Sequence, residues 1–403
     1  MNEKFKNRWI IVFFSVVTNL IIGSAYAWSV FQPRLIEQYD LSTPAVNLAF
    51  TFAVSIVPFS MMYSAKLRSK IGASKTIFIG GLLFATGFAA SGFTRGNLVI
   101  LYLSYGLLCG IGTGFINGST LPNSLKWFPD KRGLAGGIVA GGYGGGAIIF
   151  APVFRLSIEQ VGINQTFIIF GIAFGIILAL CAGFIKSPPT NYVPQGFTLN
   201  ISCNSESKKQ YTAHEMLKQP TFFAFWFLFT LSCISGLMII AHGAHIAEVR
   251  LLATPTLAAV AVMFISITNA GGRVLWGAVS DKIGRFKTLK LMYLLTLVMF
   301  IMLLLTQNFF LFVVAVMGIS LCYGGAYGVF PPLTLEFFGV VNFDLNYGIM
   351  LTAFGFAGIA GPQIAAQIFQ HTGSHSTAFA LGIIMSVVAI TTTYLLTRKL
   401  QNN

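Results

Sequence analysis

In the stretch ITNAGGRVLWGAVSDKIGRFK, Ile267 to Lys287, one guanidinium stands at the end of a long apolar run. It belongs to Arg273, and the 22 residues that separate it from Arg250 carry no charge. The eleven acidic residues all fall near the ends of apolar runs or in the gaps between them. Asp281 lies eight residues further on, about 12 Å along a helix. An arginine held at membrane depth costs at least about 3 kcal/mol and as a rule faces a cavity. With no internal acid to pair it, the expected partner is an anion from outside the protein. A guanidinium meets a carboxylate through two parallel hydrogen bonds, so a carboxylated solute is expected, with phosphate and sulfate open on charge alone. The bland alternative is that Arg273 snorkels to the headgroups.

Other polar and aromatic residues can complete such a site. Asn269 precedes Arg273 by one helical turn and shares its face. Tyr323 and Tyr327 are four apart in a glycine-rich run, GISLCYGGAYGVFPP, and their hydroxyls can donate to a carboxylate oxygen. Asn117 is a further donor, and Tyr26, Trp28 and Phe115 are candidate walls, each with ordinary core packing as the alternative. His242 and His245 share a face near the outer end of the seventh apolar run, a candidate proton-linked pair for which interfacial packing is the stronger expectation. They complete no metal set. His214, His371 and His375 fall in loops. The five cysteines show no metal or disulfide spacing, and no cofactor, metal or nucleophile–base set is expected.

These residues need elements to carry them. Of 403 residues, 55% are hydrophobic and 9% charged, against about 25% charged in a soluble chain. The composition is that of an all-α polytopic membrane protein. Twelve runs of about 20 apolar residues are predicted, near 9–30, 44–65, 74–93, 97–121, 134–156, 166–186, 221–243, 253–276, 288–306, 309–331, 346–368 and 377–396. The division is residues 1–186, a polar linker at 187–220, and 221–403. With the N-terminus inside, 20 of the 25 lysines and arginines fall on the cytoplasmic side and four (Arg34, Arg95, Arg155, Arg250) outside. That bias orients the chain in a plasma membrane with both termini cytoplasmic. The net charge of +14 follows from it. Scattered basic residues without interleaved aromatics exclude nucleic acid as the partner.

KLRSKIGASK, Lys66 to Lys75, echoes AVSDKIGRFK, Ala278 to Lys287, at an offset of 212, which also sets Phe115 on Tyr327. Duplicated six-helix halves suggest a carrier that opens alternately to each side. Glycines through GLAGGIVAGGYGGGAIIFAP, Gly133 to Pro152, suit a close interface that must repack. A channel, a solute-sensing membrane protein and a membrane enzyme are the competing classes. A sensor would be expected to carry a larger added domain.

Gly277 to Arg285 fits the loop pattern G-x-x-x-D-R/K-x-G-R/K and resembles the major facilitator superfamily. The resemblance implies twelve transmembrane helices in two pseudo-symmetric halves. It gives Asp281, Lys282 and Arg285, with Asp130 and Arg132 of the WFPDKRGLAGG segment, gating or conformational roles. In the first-half copy Ala65, Ser69 and Ala73 replace the glycine, aspartate and basic residue, so no latch built on a first-half acid is expected. WFPDKRGLAGG, GGAYGVFPPLTLEFFG, NYGIMLTAFGFAGIAGP and GSAYAWSVF together resemble the oxalate/formate antiporter family, related to the monocarboxylate transporters. Those oxalate carriers bind their dicarboxylate between two basic residues. Arg273 matches the first, and Phe354 stands where the second, a lysine, is expected. The resemblance implies a secondary transporter, not an enzyme, working as a monomer. Its solute is expected to be a small monocarboxylate such as lactate, pyruvate or formate, with protons or a counter-transported carboxylate as coupling partner. Oxalate exchange is the alternative.

Overall fold

The computed structural model describes residues 8–189, 192, 210–252 and 254–402. Among them are twelve helices long and apolar enough to cross a membrane. They are α1 (Trp9–Tyr39), α2 (Ala45–Ile71), α3 (Ala73–Ser91), α4 (Leu98–Trp127), α5 (Arg132–Val161), α6 (Ile163–Phe184), α7 (Pro220–Leu251), α8 (Pro255–Ile283), α9 (Arg285–Leu305), α10 (Phe309–Phe338), α11 (Phe343–Thr372) and α12 (Ser376–Asn402). Helices are the expected solution because each satisfies its backbone hydrogen bonds within its own segment. The protein is a multi-pass membrane protein, and the helices form two pseudo-symmetric bundles, α1–α6 and α7–α12. Most of the 187–220 segment lies outside the described residues. Its end is a single capped turn, Ala213–Met216, with the reciprocal Thr212–Glu215 box.

Every predicted run lies on an observed helix, and most helices are longer. A hydropathy pattern reports the slab, whereas the hydrogen-bond ladder continues until something stops it. At the echoed KIG segments the stop is glycine: Gly72 and Gly284 have φ of 86° and 89°, a conformation that costs a residue with a Cβ. Three helices are irregular within. α1 tightens to a 3-10 turn at Ser24–Ala27, α4 carries a π stretch at Tyr102–Cys109, and α11 breaks at Leu351.

The bundles meet where α5 packs on α8 and α10 and where α2 packs on α11. The α5–α8 seam is very close. A Cβ on Gly277 would stand 2.2 Å from the Gly133 carbonyl oxygen, and one on Gly137 2.3 Å from that of Arg273. At the same end Arg8 ties the start of α1 to the α4–α5 loop. Its Nη1 and Nη2 donate to Asp130 at 2.5 and 2.7 Å, and the guanidinium lies 4.2 Å from the Phe128 ring centre. Asp130 therefore fastens the first bundle internally and does not span the two. Burial opposes the Asp130 charge, but the Arg8 bond, with Lys131 adding to it, holds the carboxyl below its usual range.

Two outcomes follow for the purified protein in detergent. Gly277→Ala should lower thermal stability by an amount equivalent to about 1–3 kcal/mol. Gly271→Ala, with nothing within 4 Å of the added carbon, should leave it unchanged. Asp130→Asn should melt below wild type at neutral pH. Because the folded pKa is depressed, that difference is complete above about pH 4 and closes as the pH falls through the folded value. Curves that stay parallel down to pH 3 would show that the pair contributes nothing.

Candidate functional site

Arg273 is 1% exposed and sits where α8 faces α5 of the other bundle. Its Nη1 donates to the Ala140 carbonyl of α5 at 3.0 Å, and its Nε reaches Asn269 Oδ1 at 3.4 Å. The guanidinium lies 4.5 Å from the centre of the Tyr327 ring and 5.8 Å from that of Tyr143. The slot exists because Gly144 has no side chain: a Cβ there would stand 2.8 Å from Nε. These carbonyl and ring contacts solvate the cation in part, and none of them brings a counter-charge. The snorkelling alternative fails on burial.

Beside the guanidinium lies a cavity of about 20 Å³ of space for the centre of a water molecule, room for one or two waters. Asn117, Tyr327 and Phe354 line it with Arg273, together with Tyr143 and Tyr347. Among the described residues of the lining, Arg273 is the one charged group. Phe354 stands edge-on to Tyr327 with centroids 5.7 Å apart, and the Tyr327 and Tyr323 hydroxyls are 3.3 Å apart. Tyr347 and Phe354 stand on either side of the α11 break at Leu351, and both line the cavity. Sequence reasoning missed Tyr143 and Tyr347. Tyr143 carried a usable signal as the one bulky side chain in the run AGGYGGGA, where small neighbours leave a gap that something large must fill.

Three candidates lie elsewhere. Tyr26 packs tilted against Tyr143 with ring centres 5.0 Å apart, half-buried and outside the lining. Trp28 follows the 3-10 turn and packs on Tyr105 at 4.4 Å within the first bundle. Phe115 faces Gly80 of α3 and the Tyr63 ring. The repeat set Phe115 on Tyr327, but the π stretch upstream adds residues per turn and changes which face the following side chains occupy. Asn117 takes the cavity position instead. The side chains of His242, His245 and Arg250 lie outside the described residues, as does Cys203. Cys109, Cys181, Cys233 and Cys322 are buried free thiols. His375 is buried too, stacked on Phe369 at 4.5 Å.

At the end of the seam that carries the termini, Asp281 spans the bundles. Its two carboxylate oxygens accept from the Gly133 and Leu134 amides at 2.9 Å each, at the positive end of α5. Arg285 Nη1 braces Asp281 at 2.8 Å, and Nη2 reaches Glu336 of α10 at 2.7 Å. Lys282 is exposed. Arg132 opens α5, one residue before the capped amides. On the other seam, Arg68 of α2 forms an ion pair with Asp344 of α11. This seam too carries a latch, and it uses no first-half acid. Its charge is inverted, with the cation on α2 and the acid on the facing helix.

The chain matches the Major Facilitator Superfamily over residues 9–339 and 249–402. It is 31% identical over 357 residues to an uncharacterised MFS-type transporter of Escherichia coli K12, covering 88% of this chain and 86% of that one. It is 30% identical over 388 residues to the oxalate:formate antiporter of Oxalobacter formigenes, covering 95% and 90%. Monocarboxylate transporter 12 of the mouse is 25% identical over 384 residues, covering 87% and 76%. Among solved structures, a human organic anion transporter superposes with a TM-score of 0.73 at 13% identity, covering 96% and 99%. The Escherichia coli fucose:proton symporter in its outward conformation gives 0.72 at 15%, covering 96% and 99%. Twelve spanning helices in two pseudo-symmetric bundles are thus matched by sequence and by fold, and the chain belongs to the Major Facilitator Superfamily, a family of transporters rather than enzymes.

Proposed function

We propose that this transporter carries small monocarboxylates, such as lactate, pyruvate or formate, by alternating access within the oxalate/formate antiporter group. The observation that carries the reading is the Arg273 guanidinium, buried beside a small cavity and bonded to a carbonyl rather than an acid. A carboxylate takes two parallel donors from it. Tyr327 and Asn117 supply further donors from α10 and α4, and Tyr143 and Tyr347 close the aromatic wall. Asn269 orients the arginine. The basic side of the chain, with both termini, faces the cytoplasm of the cell whose plasma membrane holds it.

Phe354 decides between one carboxylate and two. Its ring lines the cavity, so an apolar wall meets whatever part of the solute points away from Arg273. A methyl group suits that wall. A second carboxylate would be desolvated without a partner, which is costly. Kinship with an oxalate:formate antiporter favours the second reading, oxalate exchange. Binding neutralises Arg273 and lowers the penalty for occluding it, so the loaded carrier reorients more readily than the empty one. Exchange is the coupling that this electrostatics favours. Among the described residues no acid sits mid-membrane to relay a proton.

The test is uptake into proteoliposomes preloaded with unlabelled solute, using labelled oxalate, formate, acetate, lactate and pyruvate, with and without an acid-outside gradient. Saturable lactate or pyruvate exchange is expected, reduced at least about tenfold in Arg273→Lys, which keeps the charge and loses the fork. Phe354→Lys should gain oxalate flux. Strong oxalate exchange by the wild type would overturn the single-cation site.

A further inference from the structure

We infer a second carboxylate site, on the first bundle at the end of the passage that carries the termini, built from Arg68 of α2 and Lys126 of α4. It rests on the monocarboxylate reading above and on one feature of the closed seam. Both cations converge on a single oxygen, Oδ2 of Asp344, at the start of α11. Arg68 forms the ion pair described above, and Lys126 Nζ stands 3.7 Å away. Two cations and one acid share a partly buried position, with side-chain exposures of 8%, 32% and 14% for Arg68, Lys126 and Asp344. Among the described residues, one positive charge of this group is left uncompensated.

The two cations belong to one rigid unit and the acid to another. Arg68 Nη1 donates to the Gly118 and Ser119 carbonyls of α4 at 3.4 and 3.3 Å. Ser64 ties the same helices, donating to the Phe115 carbonyl at 3.3 Å and meeting Ser119 Oγ at 3.2 Å. Arg68 is thereby fixed to the helix that bears Lys126. Asp344 opens α11, in the second bundle, and its Oδ1 has no hydrogen-bond partner. When the bundles part at this end, Asp344 leaves with α11. The α2–α4 pair stays behind as an arginine and a lysine aimed at the place a carboxylate has just vacated.

Asp344 is therefore a built-in stand-in for the solute. In the closed state it fills the cradle and joins the bundles, and in the open state a small carboxylate replaces it. The cradle gathers the acid at one mouth of the passage before Arg273 takes it deeper. Its effect must be one-sided, because the cradle is covered whenever the passage faces the opposite way. A residue that merely stabilised the fold would have no such sidedness.

The experiment compares initial rates of pyruvate exchange in right-side-out and inverted membrane vesicles for wild type, Lys126→Gln and Lys126→Arg. For solute presented at the face that bears the termini, Lys126→Gln should raise KM about fivefold, the effect of losing one partly exposed charge contact. KM from the opposite face should stay at the wild-type value, and Lys126→Arg should restore the asymmetry. Equal KM changes on both faces, or none on either, would overturn the cradle while leaving the proposed function standing. Wild-type vesicles that exchange no carboxylate at all would overturn both. Should Lys126→Gln fail to reach the membrane, Lys126→Met and the arginine variant carry the same comparison.

Discussion

A cation shut off from bulk water governs this structure. Arg273 is enclosed by α5, α8 and α10, in surroundings where charge is expensive to hold. The protein meets that cost with a carbonyl, an amide oxygen and the faces of two tyrosines, all of which attract a cation without neutralising it. Several local features follow from this. Gly144 must lack a side chain, the seam must be tight enough for Ala140 to come within hydrogen-bond distance, and the tyrosines must present rings rather than edges. A site that is solvated but not neutralised is poised for an anion.

The two seams between the bundles show how a duplicated backbone can be held by different chemistry. On one, an acid at the end of α8 meets the backbone amides at the start of α5. On the other, a cation at the end of α2 meets an acid at the start of α11. The backbone repeats and the charges do not. Helix ends make either solution available, since unsatisfied amides bind an acid and an acid in the first turn suits the same dipole. Ser69, which stands where the acid of the repeat is expected, disables the first arrangement in the first half. Arg68 and Asp344 install the second.

The fold was legible because the bilayer imposes it. Twelve apolar runs, a charge bias and an echoed loop were sufficient to place the twelve helices. Arg273 was legible because a charge in an apolar run has few other uses, Asn117 and Tyr327 were candidates with core packing as the alternative, and Phe354 came from the resemblance to the oxalate carriers. What escaped was whatever depends on the rotation of a helix about its axis. Phe115 follows a π stretch and Trp28 a 3-10 turn, and both pack away from the cavity. Neither irregularity leaves a hydropathy signature. The Arg8–Asp130 pair escaped because its members lie 122 residues apart along the chain, a pairing that no local pattern reports. The Arg68–Asp344 pair escaped for the same reason, with an inverted sign as well.

The Arg273–Ala140 bond also joins the binding site to the seam. Ala140 belongs to the first bundle and Arg273 to the second, so the donor that a carboxylate would need is engaged across the boundary. That bond uses one of the two N–H groups of Nη1. An anion that loosens this contact also removes the charge that made the contact necessary, and the α5–α8 seam, which has no bulky side chains to interlock at Gly133, Gly137 and Gly277, offers little steric resistance to the shift.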